Sequence, residues 1–348
     1  MFEAPIFFER NRVSRVYTGG LLFRDLFGDP AEDGGFPEEW IASCVAAQTE
    51  DGKTEGISRV RGGGERFDTL LEKYADALTG GGKNTGVLVK ALDSAVRLPV
   101  QTHPDRAFSE AHFNSKYGKA ESWVILATRP NAKVYLGFNR AVTRAEFAAL
   151  IERSETDKNA MEAVLNAFEV TAGDVFFIPA RAVHAIGAGC LILEVQEPTD
   201  FTLQPERYCG DYRLSDYSMY LGIDKEAALD CFDYTFDLER VKRECVKKPR
   251  VTRQENGVTA ETLISYSDTP CFAVNKYTVD GGAAALGYDK YAVYAVTRGS
   301  GRITGRNCDA AIQKGDYFFA PFCLKNTLTV TAEHLELIEC LPPIGEPL

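Results

Sequence analysis

Two segments of this chain carry residue types that could bind a metal. The first is Leu98-Pro99-Val100-Gln101-Thr102-His103-Pro104-Asp105. The second runs Gly173-Asp174-Val175-Phe176-Phe177-Ile178-Pro179-Ala180-Arg181-Ala182-Val183-His184. The protein has four histidines, and two of them lie in these segments. Residues two apart in a strand share a face, so Gln101 and His103 can reach one point together. Glu121 and His184 complete a mixed nitrogen and oxygen shell around it. Imidazole suits zinc, iron or nickel, while amide and carboxylate oxygens harden the site. Three or four protein ligands leave a position for water or substrate, and a metal so held polarises a carbonyl or a neighbouring hydroxyl as a Lewis acid. The set includes no thiolate or thioether, which argues against blue-copper electron transfer. The competing reading makes Gln101, His103 and His184 hydrogen-bonded barrel residues, since barrel interiors also hold satisfied polar groups.

The elements that must position these residues are short strands. Leu88-Val89-Lys90-Ala91-Leu92 reads as a buried strand with a lysine inside it, which must be paired, snorkelling or functional. Ser122–Ala127 and Lys133–Phe138 read as paired strands, and strands resume at Asp174–Ile178 and Cys190–Val195. Val16–Leu22 and Trp40–Val45 read as strands or strand ends. Phe67, Leu70, Leu71, Tyr74 and Leu78 keep helical spacing. The following Gly80-Gly81-Gly82-Lys83-Asn84 lacks the spacing of a phosphate-binding loop and is a helix stop with a flexible turn. Residues 143–169 are expected to form a helical insertion with Thr143 as its N-cap. His112 and His334 read as surface or packing residues.

The second half repeats the first. Gly173-Asp174-Val175-Phe176-Phe177-Ile178-Pro179 is matched by Gly315-Asp316-Tyr317-Phe318-Phe319-Ala320-Pro321. Five residues after the proline stands His184 in one copy and Asn326 in the other. Short strands with Gly/Asp turns at constant internal spacing predict an all-β protein of two cupin-like jelly-roll barrels with helical insertions. The expected divisions are a metal-binding catalytic domain over 1–230, a charged connecting segment over 231–265, and a C-terminal barrel without metal ligands over 266–348. That second barrel either stabilises the first or covers the face of a homodimer.

Composition narrows the function classes. A 348-residue chain with 45% hydrophobic and 26% charged residues is an ordinary globular protein. Its net charge of -11 argues against a nucleic-acid or anionic-membrane surface. It leaves room for an anionic small substrate in a locally positive pocket. No apolar run is long enough to span a bilayer, and Met1-Phe2-Glu3-Ala4-Pro5 lacks the pattern of a signal peptide. The nine cysteines are scattered and contain no CxxC pair, so unpaired thiols in a reducing cytoplasm are expected.

Taken as a set, Gln101-Thr102-His103-Pro104-Asp105, Gly118-Lys119-Ala120-Glu121 and Pro179-Ala180 through His184-Ala185-Ile186-Gly187 resemble the class I mannose-6-phosphate isomerases of the two-cupin bacterial type. Tyr17-Thr18-Gly19-Gly20, Glu38-Glu39-Trp40 and Leu193-Glu194-Val195-Gln196 extend the likeness over almost the whole chain. The resemblance implies one divalent metal, zinc, held by Gln101, His103, Glu121 and His184. It implies a pocket lined by Glu38, Lys90, Lys119, Glu194 and Asp200, with interconversion of an aldose phosphate and a ketose phosphate through an enediol-like state. Burial is expected to lower the pKa of Lys90 and Lys119 toward acid–base use. Two positions depart from the family: Pro99 stands for a serine, and Gln204 for an arginine. Arg207 is the nearest candidate to replace that arginine. A different sugar, or a sugar-binding cupin without turnover, is the alternative. An iron-dependent oxidoreductase would need two histidines and one carboxylate with open positions, and Gln101 in the shell argues against it.

Overall fold

The inward and outward alternation of a few strands builds the molecule. In Leu88–Asp93, Lys90 and Leu92 point into the first barrel, while Val89 and Ala91 pack on the opposite side. In Cys190–Gln196, Ile192 and Glu194 point inward, and Leu191, Leu193 and Val195 pack outward. Glu121–Thr128 follows the same rule, with Glu121, Trp123 and Ile125 inward and Val124 outward. A two-residue period therefore places Lys90, Glu194 and Glu121 on one interior face.

The computed structural model describes residues 2–345 apart from 51, 53, 54 and 288. It is an all-β protein of two cupin-like barrels with helical insertions. The first barrel combines a seven-stranded antiparallel sheet with a three-stranded one. In the large sheet Cys190–Gln196 lies between Glu121–Thr128 and Leu88–Asp93, with Glu194 opposite both Trp123 and Lys90. In the small sheet Lys133–Phe138 lies between Leu165–Glu169 and His184–Ile186. Side chains from both sheets share one core, including Trp123, Ile178, Leu136 and Ile186.

The second barrel is a nine-stranded sheet running from Arg250–Glu255 to Leu328–Leu341, with Ile6–Phe7 from the N-terminus at one end of its strand order. The repeat seen in the sequence is a repeat of register. Glu339 lies opposite Asn275 and Tyr294, as Glu194 lies opposite Lys90 and Trp123. Phe318 faces Tyr294 as Phe176 faces Trp123. Phe8, Phe67, Val89, Leu193, Phe319 and Ile338 form an apolar layer between the barrels.

Four expectations need correcting. Lys133–Phe138 does not pair with Glu121–Thr128, because the chain crosses at the turn around Asn131 from one sheet of the barrel to the other. Only Arg144–Arg153 and a short turn at Glu162–Val164 of the expected insertion are helical, and Leu165–Glu169 is a strand. Leu165 and Phe168 lie on opposite sides of this strand and both pack against the core, so a three-residue apolar spacing does not distinguish helix from strand here. The second sheet begins at Arg250, ahead of residue 266; its first strand is largely exposed and charged, so it reads as a solvated connection. Val16–Leu22 forms bends and a turn leading into the helix Phe23–Phe27. Thr143 does cap its helix, through a capping box with Glu146. No described helix is long and apolar enough to cross a membrane.

Candidate metal centre and active-site cavity

Backbone pairing brings the two motif segments together. Gln101 and His184 exchange both backbone hydrogen bonds at 2.9 Å, and Thr102 does the same with Leu203. Gln101–His103 is thus an extended segment held by isolated bridges rather than a full strand. His184 starts its strand against Leu136, and Glu121 starts its own against Ile178 and Gln196. The ends of these elements converge inside the first barrel.

There His103 Nε2 lies 2.8 Å from Glu121 Oε1 and 3.1 Å from His184 Nε2. His184 Nε2 is 3.9 Å from Glu121 Oε2. All three residues are buried. His103 Nδ1 faces the Phe201 carbonyl at 3.0 Å, and His184 Nδ1 faces the Ala182 carbonyl at 2.9 Å. Only an N–H satisfies a carbonyl, so both rings carry the proton on Nδ1 and turn the Nε2 lone pair inward. Burial pushes His103 down to about 3, aided by Lys119 and His184 against the pull of Glu121, and burial likewise lowers His184. Both imidazoles are neutral at neutral pH. Burial opposes ionisation of Glu121, but the Lys119 ammonium against its Oε1 favours the carboxylate and its pKa lies well below the usual range. Two lone pairs and a carboxylate thus converge in a dry site, and this donor set fits a bound metal ion. Trp123 Nε1 donates to Glu121 Oε2 at 3.1 Å and fixes its orientation.

The cluster opens on a cavity of about 580 Å3. Gln101, Lys90, Lys119, Glu38, Glu194 and Asp200 all line it. Lys119 Nζ lies 2.5 Å from Glu121 Oε1 and 3.1 Å from His103 Nε2. Lys90 Nζ stands 3.4 Å from Glu194, 3.7 Å from Glu38 and 3.9 Å from Asp200. Burial alone would lower the Lys90 pKa, but these three carboxylates outweigh it and raise the value. The expectation of a depressed Lys90 is therefore corrected: it is a fixed cation. Glu194 moves the opposite way, pushed up to about 7 by burial and by Glu121. Among the described residues its buried Oε1 accepts no hydrogen bond and has the Lys90 ammonium at 3.4 Å as its ion-pair partner. Burial would raise Glu38 too, yet Arg15 and Lys90 hold it at about 2.

Arg207 is not brought to this cavity. It pairs with Glu155 at 3.0 Å and Asp216 at 2.9 Å and lines a second cavity of about 570 Å3. Gln204 does line the first cavity, with its Nε2 donating to the Ser218 carbonyl at 2.9 Å. Sequence reasoning missed Arg15, which spans Glu38 and Asp200 at 3.0 Å each. It lies in Arg12-Val13-Ser14-Arg15-Val16, where no chemical motif marks it. His112 and His334 are exposed, His334 against Asp280.

No protein-family model matches the chain. It is 28% identical over 330 residues to the mannose-6-phosphate isomerase ManA of Bacillus subtilis, covering 93% of this chain and 95% of that protein. It is 28% identical over 327 residues to the mannose-6-phosphate isomerase of Streptococcus mutans, covering 92% and 94%. Among solved structures, the mannose 6-phosphate isomerase of Bacillus subtilis superposes with a TM-score of 0.77 at 23% identity, over 97% of this chain and 99% of that one. A mutant of the phosphomannose isomerase of Salmonella typhimurium gives 0.73 at 12% identity, over 98% and 100%. The fold is shared over 97% of the chain with the first of these structures, and the resemblance in sequence covers 92–93% of it.

Proposed function

We propose, on this resemblance to mannose-6-phosphate isomerases, that the chain is a metal-dependent aldose–ketose isomerase interconverting mannose 6-phosphate and fructose 6-phosphate. One observation supports it above the others. Glu121, on which the Nε2 atoms of His103 and His184 converge, lines a cavity that also holds a proton-poised Glu194 beside a fixed Lys90. Gln101, His103, Glu121 and His184 are the proposed ligands of one divalent ion, zinc in this reading. When bound, such an ion polarises the substrate carbonyl and its neighbouring hydroxyl as a Lewis acid.

The chain's own groups account for the proton movements. In the reaction a proton leaves carbon 2 and one returns at carbon 1, while another moves between the two oxygens. Glu194, with a pKa near 7, is the proposed acid/base, since such a value suits both taking and giving a proton at neutral pH. Lys119 and Lys90 are the donors facing the developing oxyanion. Asp200, Glu38 and Arg15 form the ion-paired wall that holds Lys90 in place. Arg207, outside the cavity, takes no part. The unpaired state of the cysteines fits a reducing cytoplasm.

The test is NMR of the purified protein with mannose 6-phosphate in deuterated water, with chelator and with added zinc. The expected result is fructose 6-phosphate formed by metal-loaded protein and suppressed by chelator. Metal-loaded protein that gives neither conversion nor exchange at carbon 2 would contradict the proposal.

A further inference from the structure

His184 and Glu121 begin regular strands, whereas Gln101 lies on an extended segment held by isolated bridges. Gln101 is 7% exposed and lines the cavity, and among the described residues its amide side chain makes no hydrogen bond. Its orientation therefore rests on the backbone that carries it.

That backbone is tied down donor by donor. The Leu98 N–H donates to the Ile186 carbonyl and the Gln101 N–H to the His184 carbonyl, each at 2.9 Å. Pro99 has no N–H to give. Thr102 exchanges bonds with Leu203 at 2.9 and 3.0 Å. The Val100 N–H is taken by a side chain, donating to Glu206 Oε2 at 2.6 Å.

Glu206 is 1% exposed, and the same carboxylate receives Arg97 Nη1 at 2.8 Å and Nη2 at 2.7 Å. Such a two-point fork fixes geometry as well as charge. Arg97 is held in turn, with its Nε 2.9 Å from Glu162 and its Nη1 donating to the Leu98 carbonyl at 2.9 Å. Gln101 thus sits between two anchors, Val100 and Thr102, and both reach the short segment Leu203–Glu206. Pro99 and Gln204, the two departures from the family pattern, fall within the same pair of stretches.

We infer that Glu206, locked by Arg97, is a positioning residue for Gln101, an inference that rests on the isomerase reading and its metal shell. Glu206 does not line the cavity. It acts through the Val100–Gln101 peptide, holding the Gln101 amide toward the metal centre as groups behind a ligand commonly do.

The test is a double-variant cycle on the full chain: the unaltered protein, Glu206→Gln, Gln101→Ala and the two combined. The zinc dissociation constant of each is measured by competition with a chelator. In Glu206→Gln one oxygen is replaced by a donor, so Val100 and Arg97 cannot both be held. Zinc binding is expected to weaken about tenfold in each single variant, with no further loss in the combined one. In cobalt-loaded protein, the visible bands of Glu206→Gln are expected to move toward those of Gln101→Ala, a change that lost stability alone would not produce. Glu206→Asp keeps the charge but is a methylene shorter, and it carries the same expectations should the first variant fail to fold. Unaltered zinc affinity in a folded Glu206 variant, or losses that multiply to about a hundredfold in the combined variant, overturns the inference and leaves the metal reading standing. Unaltered affinity in Gln101→Ala overturns the inference and the place of Gln101 in the shell. An unaltered protein that binds no zinc overturns the metal reading as well.

Discussion

Glu38 shows how single residues are held in this site. It is buried, yet it receives the Tyr17 hydroxyl and the Trp40 indole, each at 2.6 Å, along with the Arg15 guanidinium at 3.0 Å. Its pKa of about 2 lies below its ordinary value of 4.5, so the folded protein binds this proton more weakly than the unfolded chain does. Its stabilising contribution is therefore present above pH 4.5 and is lost as pH falls through the folded value near 2. Glu38→Gln is expected to lower stability at pH 7 by about 3 kcal/mol. It should also flatten the loss of stability across that acid window. Urea unfolding at a series of pH values checks this, and an acid limb identical to that of the unaltered protein would refute it. Glu194 lies two strands away, across Leu88–Asp93, with its pKa displaced upward, because its share of Lys90 does not offset burial and Glu121. The separation of two buried carboxyl groups in opposite directions is what gives one of them a proton to exchange.

At the scale of elements, His184 depends on a close approach of strands. A Cβ added at Gly187 would lie 2.3 Å from the Lys133 carbonyl oxygen, backbone against backbone. Gly187→Ala must therefore push His184–Ile186 away from Lys133–Phe138. The expected cost is about 1–3 kcal/mol of stability, together with weaker zinc binding, since His184 moves with its strand. Thermal melts and zinc titration measure the two effects, and a variant with unaltered zinc affinity would show that this pairing does not position the ligand. These elements were unevenly legible in the sequence. The matched Gly173–Pro179 and Gly315–Pro321 runs pointed to paired barrels because turn chemistry and strand period coincide there. The spacing of Gln101 and His103 placed both at the site, although a pair of bridges positions them rather than a long strand. The partner of Lys133–Phe138 could not be read, because two-residue alternation records which face is buried but not which sheet the strand joins. Arg15 and the true location of Arg207 were hidden for a related reason: ion pairs between distant segments leave no local pattern.

The whole molecule behaves as one body in its packing. The N-terminal strand Ile6–Phe7 belongs to the second barrel's sheet, and Arg10 Nη1 donates to the Gly315 carbonyl at 3.1 Å. Glu39, fully buried on the first barrel's outer face, accepts the Tyr317 hydroxyl from the second barrel and pairs with Arg12 at 3.0 Å. With the apolar layer around Phe67 and Phe319, these contacts predict a single cooperative unfolding transition. Tyr317→Phe leaves Glu39 short of a donor and is expected to destabilise by about 1–3 kcal/mol, lowering the melting temperature without splitting the transition. Calorimetry showing two separate transitions in the unaltered protein would contradict the coupling. The second barrel places Glu339 where the first places Glu194, but surrounds it with Tyr294, Tyr277 and Asn275 rather than a lysine. The same register thus serves a hydrogen-bonded core in one half and a cavity in the other.

The most direct measurement of the central claim is metal stoichiometry. Chelator-stripped protein would be reloaded with zinc, dialysed and analysed by elemental mass spectrometry, beside His103→Ala, His184→Ala and the exposed-histidine control His334→Ala. About one zinc per chain is expected for the unaltered protein and for His334→Ala, and loss of most of it in the other two, since each removes one of the converging donors. Full zinc retention by folded His103→Ala and His184→Ala, or an unaltered protein that binds none, would contradict it.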